Sequence, residues 1–138
     1  MERDKIVIKR GIINPQISAL LCRVRHTNML VIADRAFPSW PTIETADISL
    51  TDGIPTVLQV LEAIKPNFDI IGIFMAKEFE KDNPREVRNL FAQATHGIPV
   101  TFEPHAHFKR RVPNAVGLIR TGDSTPFANM ILVSGRTE

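Results

Sequence analysis

Residues Met29 to Ala33, MLVIA, form an unbroken apolar run bounded by Asn28 and Asp34. A strand with one wet face alternates apolar and polar residues, so an uninterrupted run of this length predicts a strand covered on both sides. Similar short runs, rich in Ile and Val, recur at Ile70–Met75, Val100–Glu103, Ala115–Arg120 and Met130–Ser134. Helices must cover such a sheet, and the intervening stretches carry a helical period. Asn14-Pro15 supplies a cap and a first-turn proline, followed by Ile17, Leu20, Leu21 and Val24 at i, i+3, i+4 and i+7. A turn at Asp52-Gly53 leads to Pro55 at or near a second helix start. Val57, Leu58, Leu61 and Ile64 then share a face until Pro66 ends it.

The same grammar returns at Asn83-Pro84-Arg85-Glu86, with Asn as cap and Glu at the third helical position, ahead of Val87, Leu90, Phe91 and Ala94. Pro104–Arg111 reads as a short helix, and Thr121–Pro126 as a turn between the last two strands. Strands alternating with helices define an α/β chain. Its 138 residues, 43% of them hydrophobic, suffice for one core, so residues 1–138 are expected to form a single domain. Between Asp34 and Asp52 lies RAFPSWPTIETADISLT, which has no sustained period and reads as a long loop of the functional kind. It holds Trp40, expected either to pack over a pocket or neighbouring chain or to serve as a core anchor.

Composition narrows the function classes. The net charge of +2 is a small excess of 17 basic over 15 acidic residues, and the one dense basic run, Lys109 to Arg111, reads as a solvated face. Nucleic-acid binding, which needs clustered charge and a recognisable module, is set aside. The amino terminus MERDKIVIKR lacks an apolar signal core and no apolar run reaches membrane-spanning length, so a cytoplasmic location without a membrane partner is expected. Cys22 is the single cysteine, which fits a reducing compartment. Neither a phosphate loop nor a nucleophile elbow is present, which removes support for nucleotide-driven and serine-hydrolase chemistry.

Ligands of open α/β sheets bind beyond the carboxyl ends of the strands, which makes Asp34, ending the MLVIA run, a site candidate. Its nearest titratable neighbour in sequence is His26, in the preceding turn, and a His that titrates near neutrality suits proton transfer. A turn His is more often solvated or capping. His105 and His107 form an H-x-H pattern beside Lys109, but on a helix i, i+2 side chains diverge, which speaks against a metal site. His96, before Gly97, reads as a helix-ending residue. Asn129, at the edge of the last strand, can bond a ligand hydroxyl or simply its own turn backbone.

Together these segments resemble a known family. GIINPQISALLCRVRHTNMLVIADRAFP is similar to the amino-terminal signature of the D-ribose pyranase / L-fucose mutarotase family, with a His-Thr turn, an apolar strand and a terminal Asp. DISLTDGIPTVLQVL, AKEFEKDNP, HAHFK and IRTGDSTPFANMILVSG resemble successive blocks, the second helix and the HxxFK segment following the ribose pyranase branch. The resemblance implies a three-layer α/β/α sandwich around a largely parallel sheet. It also implies homo-oligomeric rings, pentamers or decamers, with sites at subunit interfaces. The implied reaction interconverts the pyranose, furanose and anomeric forms of a free monosaccharide, D-ribose first, without a cofactor.

Carried over by position, His26 matches the catalytic acid and Asp34 the sugar-binding carboxylate, which is also expected to tune His26. His105 matches a second sugar contact with Lys109 as helper, and Asn129 the amide of the carboxyl-terminal motif. Phe127 stands where the family has Tyr, and the chain contains no Tyr. Arg35 replaces a small residue and is expected to pair with Asp34 or bind an anionic substituent, and Asn28 replaces an acidic residue. A non-catalytic sugar-binding or regulatory ring, an L-fucose-type mutarotase and other carbonyl chemistry on the same His and Asp are the alternatives.

Overall fold

The computed structural model describes residues 10–67 and 69–135. Most of the amino-terminal stretch from which a location was read lies outside them. Six strands form one sheet: β1 Met29–Ala33, β2 Glu44–Asp47, β3 Ile70–Ala76, β4 Val100–Glu103, β5 Gly117–Arg120 and β6 Met130–Ser134, in the order β2-β5-β1-β6-β3-β4. β1 and β2 pair parallel with β5, and β3 with β4, whereas β6 runs antiparallel to both β1 and β3. Among the described residues only β6 is reversed, so the sheet is largely parallel, as expected.

Side chains of β1 alternate between two cores. Leu30 and Ile32 face a cluster built with α1 (Pro15–Arg23), α2 (Val57–Ile64), α3 (Glu78–Asp82) and α4 (Arg85–Ala94), through Leu20, Leu61, Phe79 and Phe91 among others. Val31 and Ala33 face the opposite cluster, where Phe108 of α5 (His105–Arg111) and Phe37 of the loop after β1 complete the third layer. Burial of such side chains, about 1.5–3 kcal/mol each, drives the layering. Both faces of β1 are buried, which is why its sequence shows no alternation. Trp40 packs on the second cluster, its ring 5.4 Å from that of Phe37.

The helix starts follow from local chemistry. Asn14 caps α1 through its side-chain oxygen, which accepts the Ile17 N–H at 3.0 Å. Thr56, just past Pro55, caps α2 in a reciprocal box with Gln59. At α4 the expected cap does not form. Asn83 is buried and instead donates its amide to the carbonyls of Phe79 and Pro126, each at 2.8 Å, so Pro84 occupies the cap position without a side-chain bond. Phe91 carries the α4 contact to the core, while Leu90, expected on the same stripe, is 55% exposed. The segment between Asp34 and Asp52 is not all loop, because Glu44–Asp47 adds to the sheet edge as β2, pairing only with β5. None of the helices among the described residues is long and apolar enough to cross a membrane.

Candidate active site at the carboxyl ends of the strands

Asp34 sits one residue past β1, and its position is held from both sides. Its backbone N–H donates to the Asn129 side-chain oxygen at 2.7 Å, and its own carboxylate accepts the Ala36 N–H at 3.0 Å. Asn129, buried, precedes the reversed strand β6, so β6 begins where β1 ends. Around this pair is a pocket of about 190 Å3, completed by Phe37, Pro38, His105 and Phe127. It is smaller than the roughly 300–1,000 Å3 typical of drug-sized ligands and suits a single small ring. A larger hollow of about 490 Å3 between α4 and β4 contains none of the site residues expected from sequence.

His105 opens α5. Its imidazole stacks on Phe108 with ring centres 5.9 Å apart, and meets Phe37 and Phe127 edge-on at 6.2 and 5.1 Å. Burial among these rings, then the positive charge of Lys109, lowers its pKa from 6.5, against the opposing charges of Glu78 and Asp34. The shift favours the neutral ring over the charged one. Nδ1 is buried with no hydrogen-bond partner among the described residues, which favours the tautomer protonated on Nε2. His105 thus offers a ligand a neutral N–H donor. Glu78, at the start of α3, fixes the backbone by accepting the His105 N–H at 3.0 and 3.3 Å.

Asp34 is shifted the other way, upward from 3.8. Desolvation dominates, aided by the charge of Asp123, while the Ala36 and Phe37 amides and the Asn129 side chain pull down. Asp123 itself is buried and structural, accepting the Val57 N–H of α2 at 2.8 Å and the Thr125 N–H at 2.8 Å. Phe127 adopts φ 54°, in the left-handed region that disfavours a side chain. Strain of this kind costs about 1–3 kcal/mol and persists where surrounding structure over-determines it. Here it turns the ring toward His105.

The structure gathers Asp34, His105, Phe127 and Asn129 around one pocket, with Lys109 close enough to His105 to act on its charge. It does not bring His26 there. His26 precedes β1 and Asp34 follows it, so the strand, roughly 16 Å long at about 3.3 Å per residue, separates them. Within one chain Asp34 therefore does not tune His26, contrary to the sequence expectation. His26 is exposed, and the next residue, Thr27, has φ 64°, an outlier for a β-branched side chain. Arg35 turns from Asp34 to Asp52, at 3.1 Å. His107 is exposed on α5 and His96 just past α4, and the described residues contain no group of three acidic, His or Cys side chains that could hold a metal ion.

Glu78 and Asp123 escaped the sequence reading. An acidic residue two positions past the IIGIFMA strand was the available signal for the first, whereas Asp123 lies in a segment that reads simply as a turn.

Comparison with known proteins agrees along the chain. The model of the family described as "RbsD / FucU transport protein family" matches residues 7–137. A D-ribose pyranase of Geobacillus kaustophilus (strain HTA426) is 39% identical over 127 residues, 92% of this chain and 93% of the relative. The structure of Bacillus subtilis RbsD complexed with D-ribose superposes with TM-score 0.87 at 27% identity, covering 96% of this chain and 100% of that one. The fucose mutarotase of Streptococcus pneumoniae in complex with L-fucose, at 21% identity and TM-score 0.75 over 91% of this chain and 95% of that one, shares the fold.

Proposed function

Because the chain belongs to the RbsD / FucU transport protein family, we propose that it is an isomerase interconverting the ring forms of free D-ribose, a D-ribose pyranase in activity. The observation that carries this reading is the small pocket in which a carboxylate, Asp34, an amide, Asn129, and a neutral imidazole, His105, converge beside the apolar Phe37 and Phe127. A sugar ring presents hydroxyls that need both donors and acceptors and an apolar face that needs an aromatic or aliphatic wall. Asp34 accepts from sugar hydroxyls, His105 donates through Nε2, Asn129 orients the remainder and Lys109 supports His105.

Ring opening takes the proton from the anomeric hydroxyl, breaks the bond from C1 to the ring oxygen and protonates that oxygen. Reclosure through another hydroxyl changes ring size. The steps balance with protons alone, and His26 exchanges them as acid and then base. His26 lies a strand length away from Asp34 of its own chain, so it serves a sugar held by a neighbouring copy. The protein acts as a homo-oligomeric ring in the cytoplasm, each chain lending His26 to one site and the Asp34 pocket to another.

The test is NMR magnetisation transfer between the anomeric signals of D-ribose. The protein should accelerate pyranose–furanose exchange, and His26→Ala and Asp34→Asn should each abolish the acceleration. Mixing the two inactive variants under subunit exchange should restore it, since some sites then pair an intact His26 with an intact Asp34. A folded His26→Ala protein at full rate would refute the assignment. A second reading, non-catalytic sugar binding, is favoured by one observation: Phe127 puts a ring without a hydroxyl edge-on to His105. It predicts saturable binding shifts with exchange unchanged.

A further inference from the structure

We infer that Ser134 is a positioning residue for His26, clamping the Arg25–Asn28 turn so that an exposed imidazole is held in one place. The inference rests on the reading that His26 exchanges the protons.

His26 is exposed among the described residues, so the backbone of its turn sets where its side chain leaves the surface. The turn that carries it closes on itself through the Asn28 N–H, which donates to the Arg25 carbonyl at 3.1 Å, and is tied to the sheet through Ser134, which bonds the residues on both sides of His26. The Ser134 carbonyl accepts the Thr27 N–H at 2.9 Å, and the Ser134 N–H donates to the Asn28 carbonyl at 2.9 Å. The Ser134 hydroxyl accepts the Asn28 N–H at 3.1 Å and donates its single proton to the Arg25 carbonyl, with the Asn28 carbonyl 3.2 Å away as the alternative acceptor. The turn is closed from inside by the Asn28 side-chain oxygen, which accepts the Arg25 N–H at 2.6 Å.

Two features separate this arrangement from an ordinary strand end. Ser134 is buried at 4% exposure, at the end of a strand that is otherwise MILV. An apolar residue would extend that strand equally well, and the hydroxyl finds its partners only on the His26 turn. Moreover, Thr27 is held at φ 64° immediately after His26, a conformation its branched side chain disfavours. A strained residue persists when neighbouring bonds leave it no alternative, and such residues concentrate at functional sites. Here the bonds on either side of Thr27 come from Ser134. The clamp thus fixes the direction in which His26 leaves the protein surface, which a site completed by another chain requires.

The experiment compares Ser134→Ala, Ser134→Thr, His26→Ala and the double variant His26→Ala/Ser134→Ala, with kcat and KM for D-ribose exchange and melting curves for each. Displacement of a catalytic group by about 1 Å can cost up to about a hundredfold. Ser134→Ala should therefore lower kcat by about ten- to a hundredfold with KM unchanged. Ser134→Thr, which retains the hydroxyl, should restore the rate. The double variant should be no slower than His26→Ala alone, because the clamp acts only through His26. If Ser134→Ala fails to fold, Asn28→Ala, which removes the internal closure of the turn, substitutes for it with the same expected split. A folded Ser134→Ala at wild-type rate, or one whose KM rises while kcat holds, overturns the positioning role while leaving His26 standing. Full activity in His26→Ala would instead sink the underlying reading, whatever Ser134 does.

Discussion

The Asn129 side-chain oxygen accepts the backbone N–H of Asp34 at 2.7 Å, joining the residue that follows β1 to the residue that precedes β6. Asn129 is 2% exposed, so water cannot readily replace it. Asn129→Ala should leave the Asp34 N–H unpaired and lower stability by about 1–3 kcal/mol, read from urea unfolding. Sugar affinity should fall with it, because the carboxylate loses its orientation. Unchanged unfolding and KM would mean that the bond holds nothing.

The opposed pKa shifts of His105 and Asp34 give a pH dependence with a definite sign. The folded state lowers the His105 value from 6.5, so its contribution to stability is complete above 6.5 and is lost as pH falls through the lowered folded value. Asp34, raised from 3.8, works in the opposite sense: its contribution is present below 3.8 and lost as pH rises through its folded value. Replacing His105 alone isolates its share, because the Asp34 contribution is common to both proteins. Between about pH 7.5 and 5 the melting temperature of the wild type should fall more than that of His105→Gln, which cannot titrate. Parallel curves would place His105 outside the buried pocket.

Phe127 faces His105 with its ring centre 5.1 Å away, and lines the same pocket as Asp34. Phe127→Tyr adds one hydroxyl there. A neutral hydrogen bond is worth about 0.5–1.5 kcal/mol net, so KM for D-ribose should drop about two- to tenfold. The titration that checks this is the same exchange assay at varied sugar concentration, and a rise in KM would show that the pocket is shaped around the smaller ring.

Gly122 admits no side chain. A Cβ there would lie 2.3 Å from the carbonyl oxygens of both Thr51 and Ile54, and the Gly122 carbonyl already accepts the Gly53 N–H at 2.6 Å. Backbone cannot retreat as a flexible side chain can. Gly122→Ala should cost about 1–3 kcal/mol and push the 51–54 turn outward, breaking the Arg35–Asp52 pair. Urea unfolding measures the first effect and limited proteolysis near Leu50 the second.

Much of the architecture could be read from residue order. β1 was delimited to the residue because both its faces are buried, and Asp34 stood out as the polar residue ending it. β2 was not seen, since ETAD is short, mostly polar and bound on one edge only, so neither period nor propensity marks it. The five residues of α3 are too few to show a stripe. Asn83 had the right spacing for a cap, yet tertiary carbonyls at Phe79 and Pro126 claimed its amide. Within one chain His26 and Asp34 lie apart for a simpler reason: closeness in sequence across an extended strand is distance in space. Glu78 and His105 are 27 positions apart and touch because β3 and β4 end side by side.

β6 is the last strand in chain order and yet sits in the middle of the sheet. Without it, β2, β5 and β1 form one ribbon and β3 with β4 another, and no ladder joins the two. A nascent chain emerging from the ribosome therefore holds two unsealed edges until residues 130–134 appear, and β1 and β3 must each wait for a partner encoded far downstream. Long-range closure of this kind slows folding and exposes strand edges to other chains. Strand order alone thus makes synthesis a period in which the edges of β1 and β3 are open to other chains.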